Sequence, residues 1–134
     1  MDLAQLKESF ENGSLSINGR EYEICKMTHG QRVKVFAYFT SIANDAMGGN
    51  FAFMDSDKFN EIEKVIYGLT KFNGDLLKVI NKHFEDYAED YIEFIVLAMG
   101  VISYPFLRGK IINSQSQETE ATQTTSKKPM SRPK

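Results

Sequence analysis

Residues 75–103, DLLKVINKHFEDYAEDYIEFIVLAMGVIS, decide the fold class. Their apolar positions Leu77, Ile80, Phe84, Tyr87, Tyr91, Phe94, Ala98 and Val101 are separated alternately by three and four residues, the seam of helices packed lengthwise on a neighbour. About 28 unbroken helical residues would be long for a small domain, and Glu85-Asp86 suit the first turn of a new helix. The spacing fits one long helix or two, and these signals favour two, over about 75–84 and 86–103, with a break near His83 to Asp86. The second becomes almost wholly apolar from Ile92 to Ile102, which makes it the central element, and Pro105 is expected to stop it.

Upstream, Asp55-Ser56-Asp57 offers caps for a helix over about 57–72, whose Phe59, Ile62, Val65, Ile66 and Leu69 share a face before Asn73-Gly74. Thr28 followed by Gln31 reads as a capping box opening a helix over about 28–47, with Val35, Phe36, Phe39, Ile42, Ala43 and Ala46 as its stripe and Gly48-Gly49 as its end. Ser14 to Ile17, Asn18-Gly19 and Arg20 to Ile24 form the pattern of a two-residue hairpin, spanning about 14–25. That register places Leu15, Ile17, Tyr22 and Ile24 on one apolar face. A short amphipathic helix, with Leu3, Leu6 and Phe10 aligned, precedes it.

All ten Phe and six Tyr precede Ser114, and residues 113–134, NSQSQETEATQTTSKKPMSRPK, hold Ala121 and Met130 as their only apolar side chains. Such a segment cannot offset about 1–2 kcal/mol of backbone entropy per residue, so composition predicts a disordered polar tail. The expectation is a mainly α protein: a small helical bundle over 1–112 with an N-terminal β-hairpin and that tail.

Residues 1–112 carry 12 Lys/Arg against 16 Asp/Glu, net −4, while 113–134 carry four against two, net +2. An acidic folded part disfavours nucleic acid as a partner. Absence of an apolar run near 18 residues and of a basic-then-apolar leader predicts no membrane span and a cytoplasmic location. Cys25 is the only cysteine, which excludes an internal disulfide and a thiolate metal site.

Little in the chain reads as catalytic. Glu85, Asp86, Glu89, Asp90 and Glu93 could hold a metal, but no Glu-x-x-His pair or EF-hand loop accompanies them, and a solvated helix face explains them better. Cys25 and His29 lie across a strand end and a helix cap, where a small apolar filler and a surface residue suffice. No phosphate-binding loop appears. The expectation is a protein that is not an enzyme and needs no cofactor. A helix-turn-helix around Asn73-Gly74 would present only Lys78 and Lys82 to DNA, so a small helical DNA- or protein-binding regulator stands as the alternative function.

A short acidic lead-in, Asn18-Gly19 in a small β segment, a capped helix opening with Gln31-Arg32, an aromatic-rich last helix and a Gln/Thr/Glu-rich exit follow one another in that order. This order resembles the tail assembly chaperones of long-tailed, siphovirus-type bacteriophages, the group that includes the lambda-type tail chaperone. The resemblance implies a protein of the host cytoplasm that binds the tape measure protein, keeps it soluble and promotes tail tube assembly around it, without remaining in the virion. It further implies a longer form, made by ribosomal frameshifting, that recruits the major tail tube protein. Lys127-Lys128 mark a candidate slippage position. Candidate client contacts are Leu15, Ile17, Tyr22 and Ile24 on the hairpin, and Tyr104, Phe106 and Leu107 after the last helix. The same surfaces could instead join a homo-oligomer.

Overall fold

The computed structural model describes residues 3–80 and 82–127, with side chains as far as Gly109. The protein is mainly α. In chain order it runs α1 (Leu3–Asn12), β1 (Ser14–Ile17), β2 (Arg20–Ile24), α2 (His29–Met47), a 3₁₀ turn (Ala52–Met54), α3 (Asp57–Tyr67), β3 (Thr70–Phe72), β4 (Asp75–Leu76), α4 (His83–Asp86), a second 3₁₀ turn (Ala88–Asp90) and α5 (Tyr91–Lys127). Two compact units divide it, Met1–Tyr104 and Pro105–Lys134.

The local signals act as their chemistry dictates. Asn18 and Gly19 both take positive φ, 51° and 80°, the type I′ geometry that lets β1 and β2 pair with Leu15 opposite Tyr22 and Ile17 opposite Arg20. The Thr28 hydroxyl accepts from the Gln31 N–H and the Gln31 amide oxygen accepts from the Thr28 N–H, so the capping box starts α2. Ser56 caps α3 by accepting from the Phe59 N–H at 3.1 Å.

The region 68–90 departs from the sequence expectation. The helix foreseen to Phe72 ends at Tyr67, and Thr70–Phe72 pair as a strand with Tyr22–Ile24 of β2. Asn73 (φ 53°) and Gly74 (φ 88°) form a second type I′ turn, which folds β4 onto β3 and completes a four-stranded meander of order β1-β2-β3-β4. Among the described residues, 75–80 and Lys82 are not helical, and α4 opens only at His83. An exposed β2 edge offers ladder hydrogen bonds that a free helical segment lacks, and Lys82 at φ 68° prevents a right-handed helix from running into His83. Residues 75–76 being strand also removes the second helix of a helix-turn-helix.

Pro105 does not stop the last helix. A proline within a helix deprives one carbonyl, here that of Val101, of its donor, and the adjacent Ile102 carbonyl accepts Arg32 Nη1 at 2.7 Å from α2. The backbone of α5 continues to Lys127, into the polar segment for which composition predicted no regular structure; extending an existing helix avoids the cost of nucleation. Lys128 and the rest of the tail lie outside the described residues.

The core of the first unit is closed by Phe94, Ile95, Leu97, Ala98, Met99, Val101 and Ile102 of α5, all buried, against Val35, Phe39 and Ile42 of α2 and Ile62 and Ile66 of α3. From Phe94 to Tyr104 every residue of α5 except the half-buried Val96 is buried, which makes this stretch the central element of the unit, as its sequence predicted. A window within Ala88–Gly109 has mean hydropathy 1.5, long and apolar enough to cross a membrane, and 61 % of it is buried inside the fold, as in the core helix of a globular unit.

Candidate protein-binding site

Most of the side chains expected to meet a client are committed to the core. Leu15, Ile17 and Tyr22 have no exposed surface, because the apolar face of the sheet lies on the helices, and Ile24 is half-buried. Tyr104 is buried, its ring 5.3 Å from that of Phe10 on α1. Phe106 and Leu107, in the second unit, are half-buried. The structure thus brings Leu15, Ile17 and Tyr22 together, but inward.

Behind that face lies a polar cluster that sequence reasoning missed. Asp90, fully buried, accepts from Asn18 Nδ2 at 2.7 Å, from Arg20 Nη1 at 2.8 Å and from the Tyr22 hydroxyl at 2.7 Å. With its proton directed to Asp90, the Tyr22 oxygen must accept from His83 Nε2, 2.9 Å away, which fixes the Nε2-protonated tautomer of the imidazole. Arg20 also stacks 4.0 Å from the centroid of the Tyr87 ring. The acids of 85–93 are therefore not one solvated face: Glu85, Asp86, Glu89 and Glu93 are exposed while Asp90 ties the β1–β2 turn to the start of α5. No grouping of acids, His and Cys able to hold a metal occurs among the described residues.

Burial pushes the Asp90 carboxyl up, but hydrogen bonds from Asn18, Tyr22 and Arg20 outweigh it and hold the group below the usual carboxylate range. Burial likewise lowers His83, with Arg20 adding to the effect and Asp90 opposing it. Both groups bind protons less readily when folded, so each contributes stability above its unfolded pKa that is lost as pH falls through the folded one. The melting temperature should therefore decline first as pH drops below about 6.5, where unfolded histidine titrates, and further below about 4. A His83→Gln variant should lack the first decline in a pH series of thermal melts.

Among the recesses on the surface of the first unit are two with mainly apolar walls. One, of about 470 Å³, is walled by Tyr67, Leu77, Phe84 and Tyr91, and the hydroxyls of Tyr67 and Tyr91 both donate to Glu63. The other, of about 360 Å³, runs between α1, the end of α2 and the start of α5, lined by Gln5, Ala46, Met47, Phe51, Ile92 and Val96, with Glu93 at its rim. Here large apolar side chains stay in solvent: Met47 is 73 % exposed and Ile92 39 %. Ile92 stands outside the seam of Tyr91, Phe94 and Ala98, and that displacement is the one sequence signal that could have identified the groove. No protein-family model, curated protein or solved structure matches the chain.

Proposed function

We propose that this chain is a tail assembly chaperone of a long-tailed bacteriophage, a non-enzymatic protein of the host cytoplasm that binds the tape measure protein and keeps it soluble while tail tube subunits assemble around it. The reading begins from the order of sequence signals, and the observation that carries it further is the apolar groove of Met47, Phe51, Ile92 and Val96. A trough between helices suits the apolar stripe of an amphipathic helix, and a tape measure client is a long series of such helices. Methionine at the lip adapts to successive segments of differing shape, which a rigid aromatic pocket would not. Client contact accordingly belongs to this groove and not to the hairpin face. A longer, frameshifted form engaging the tube protein belongs to the same proposal, and the nucleotides encoding Lys127-Lys128 test it directly.

The experiment is co-expression with the tape measure protein encoded beside this chain, comparing wild type with Met47→Asp/Ile92→Asp. Wild type should bring the client into the soluble fraction and co-purify with it. The double variant, both positions being solvent-facing, should keep its circular dichroism and melting temperature yet bind roughly tenfold or more weakly, since each 1.4 kcal/mol of lost apolar contact is a factor of ten. A client that remains insoluble and unbound beside wild type overturns the function. Undiminished binding by a folded double variant overturns the groove.

A further inference from the structure

Three Asn-Gly dipeptides occur in the chain, Asn12-Gly13, Asn18-Gly19 and Asn73-Gly74. In such a pair the glycine nitrogen can attack the side-chain carbonyl carbon of the asparagine, because glycine carries no side chain to obstruct the approach. All three asparagines are exposed, so access to water does not separate them. What separates them is whether the reacting groups are already held. At Asn12 the nucleophile is engaged: the Gly13 N–H donates to the Ser9 carbonyl at 2.8 Å, closing the end of α1. At Asn18 the electrophile is engaged: its Nδ2 donates to Asp90 at 2.7 Å, which ties the side-chain amide to a fully buried carboxylate. At Asn73 neither is held, for its side chain and the Gly74 N–H have no hydrogen-bond partner among the described residues. The two type I′ turns also differ in what keeps them closed. β1 and β2 pair at four positions behind Asn18-Gly19, whereas β3 and β4 pair at two behind Asn73-Gly74. Attack needs the turn to open until nitrogen and carbon stand roughly 3–3.5 Å apart, and a hairpin with few pairs and no side-chain anchor opens more readily.

We propose that Asn73 is a site of spontaneous covalent modification, converting to aspartate and isoaspartate, and that the isoaspartate form opens the β3–β4 turn. The Gly74 nitrogen gives its proton to solvent and bonds to Cγ of Asn73, and ammonia leaves with the former amide nitrogen, closing a cyclic imide. Water then opens the ring. Addition at Cγ breaks the new bond and leaves aspartate; addition at the main-chain carbonyl breaks the original peptide bond and leaves isoaspartate, with Gly74 joined through Cγ. One water is consumed, one ammonia is released and nothing is oxidised. Isoaspartate carries the chain through Cβ, adding a methylene to a two-residue turn whose closure depends on fixed dihedrals at both positions. This modification is independent of client binding at the groove.

Peptide mapping by mass spectrometry tests the site. The full chain is held at neutral pH, once folded and once unfolded in urea, and conversion at each asparagine is followed by the mass change from NH₂ to OH, with the two products resolved by retention time. The unfolded chain supplies the intrinsic rate at each position. Folding should slow Asn73 at least about tenfold less than it slows Asn12 or Asn18, so that Asn73 converts first in the folded protein. Equal slowing at all three, or earlier conversion at Asn12 or Asn18, overturns the site. The isoaspartate fraction, separated by ion exchange, should melt below the fresh protein, whereas Asn73→Asp, which adds the charge without the methylene and tolerates the left-handed turn, should melt with it. An isoaspartate fraction that melts with the fresh protein, or an Asn73→Asp variant that melts as low as that fraction, overturns the opening of the turn.

Discussion

Asp90→Ala should lower the free energy of unfolding by about 3 kcal/mol, measured by urea denaturation at neutral pH. The loss is not that of a single contact. Asp90 is the common acceptor for Asn18, Arg20 and Tyr22, so its removal leaves an amide, a guanidinium and a phenol to find partners or pay for desolvation. Arg20 limits the damage: its side chain is 26 % exposed and regains water, which keeps the effect at the low end of the range for a broken buried ion pair. Tyr22 and His83 have no such recourse, being buried. Asp90→Asn keeps the shape and can still accept from Tyr22, so it should cost less. If Asp90→Ala and Asp90→Asn are equally and mildly destabilising, the cluster does not fasten the hairpin turn to α5.

How far the sequence discloses this fold depends on the range of the interactions involved. The Asn18-Gly19 turn, the Thr28-Gln31 capping box and the Ser56 cap are satisfied within three or four residues, and each stands where its residues place it. Asn73-Gly74 carries the same turn chemistry as Asn18-Gly19, yet it reads as a helix end because Leu77, Ile80 and Phe84 continue a helical spacing. What decides for strand is the free edge of β2, about 50 residues away in the chain, and periodicity contains no term for such a partner. Pro105 misleads because the helix it interrupts is already built and packed before it, from Phe94 to Tyr104, by contacts with distant parts of the chain. The polar cluster is less legible still. Asp90 sits in a run of acids whose exposure is the ordinary outcome, and only its meeting with Arg20, 70 residues distant, separates it from them. The apolar faces were legible as faces, but composition cannot say which of them another helix covers. Leu15, Ile17 and Tyr22 are covered; Met47 and Ile92 are not.

Phe94→Ala should be the most destabilising apolar truncation in the chain, costing about 3–5 kcal/mol in the same denaturation assay. Phe94 has no exposed surface and stands where three parts of the unit meet: its ring centroid is 5.1 Å from Tyr22 on the sheet and 5.2 Å from Phe84 on α4, while its backbone belongs to α5. Collapse around the truncated side chain is resisted from each direction. Tyr22 is pinned through its hydroxyl to Asp90 and His83, and Phe84 is wedged between Tyr67 and Tyr91, whose hydroxyls share Glu63. A site that cannot relax keeps its cavity, and residual cavity volume sets the size of the loss. Phe84, half-buried at the wall of the aromatic recess, provides the contrast, because solvent and the recess accommodate its removal. Phe84→Ala should therefore cost clearly less than Phe94→Ala. The reverse order would mean that the recess, and not the sheet-to-α5 contact, is where this unit is most tightly packed.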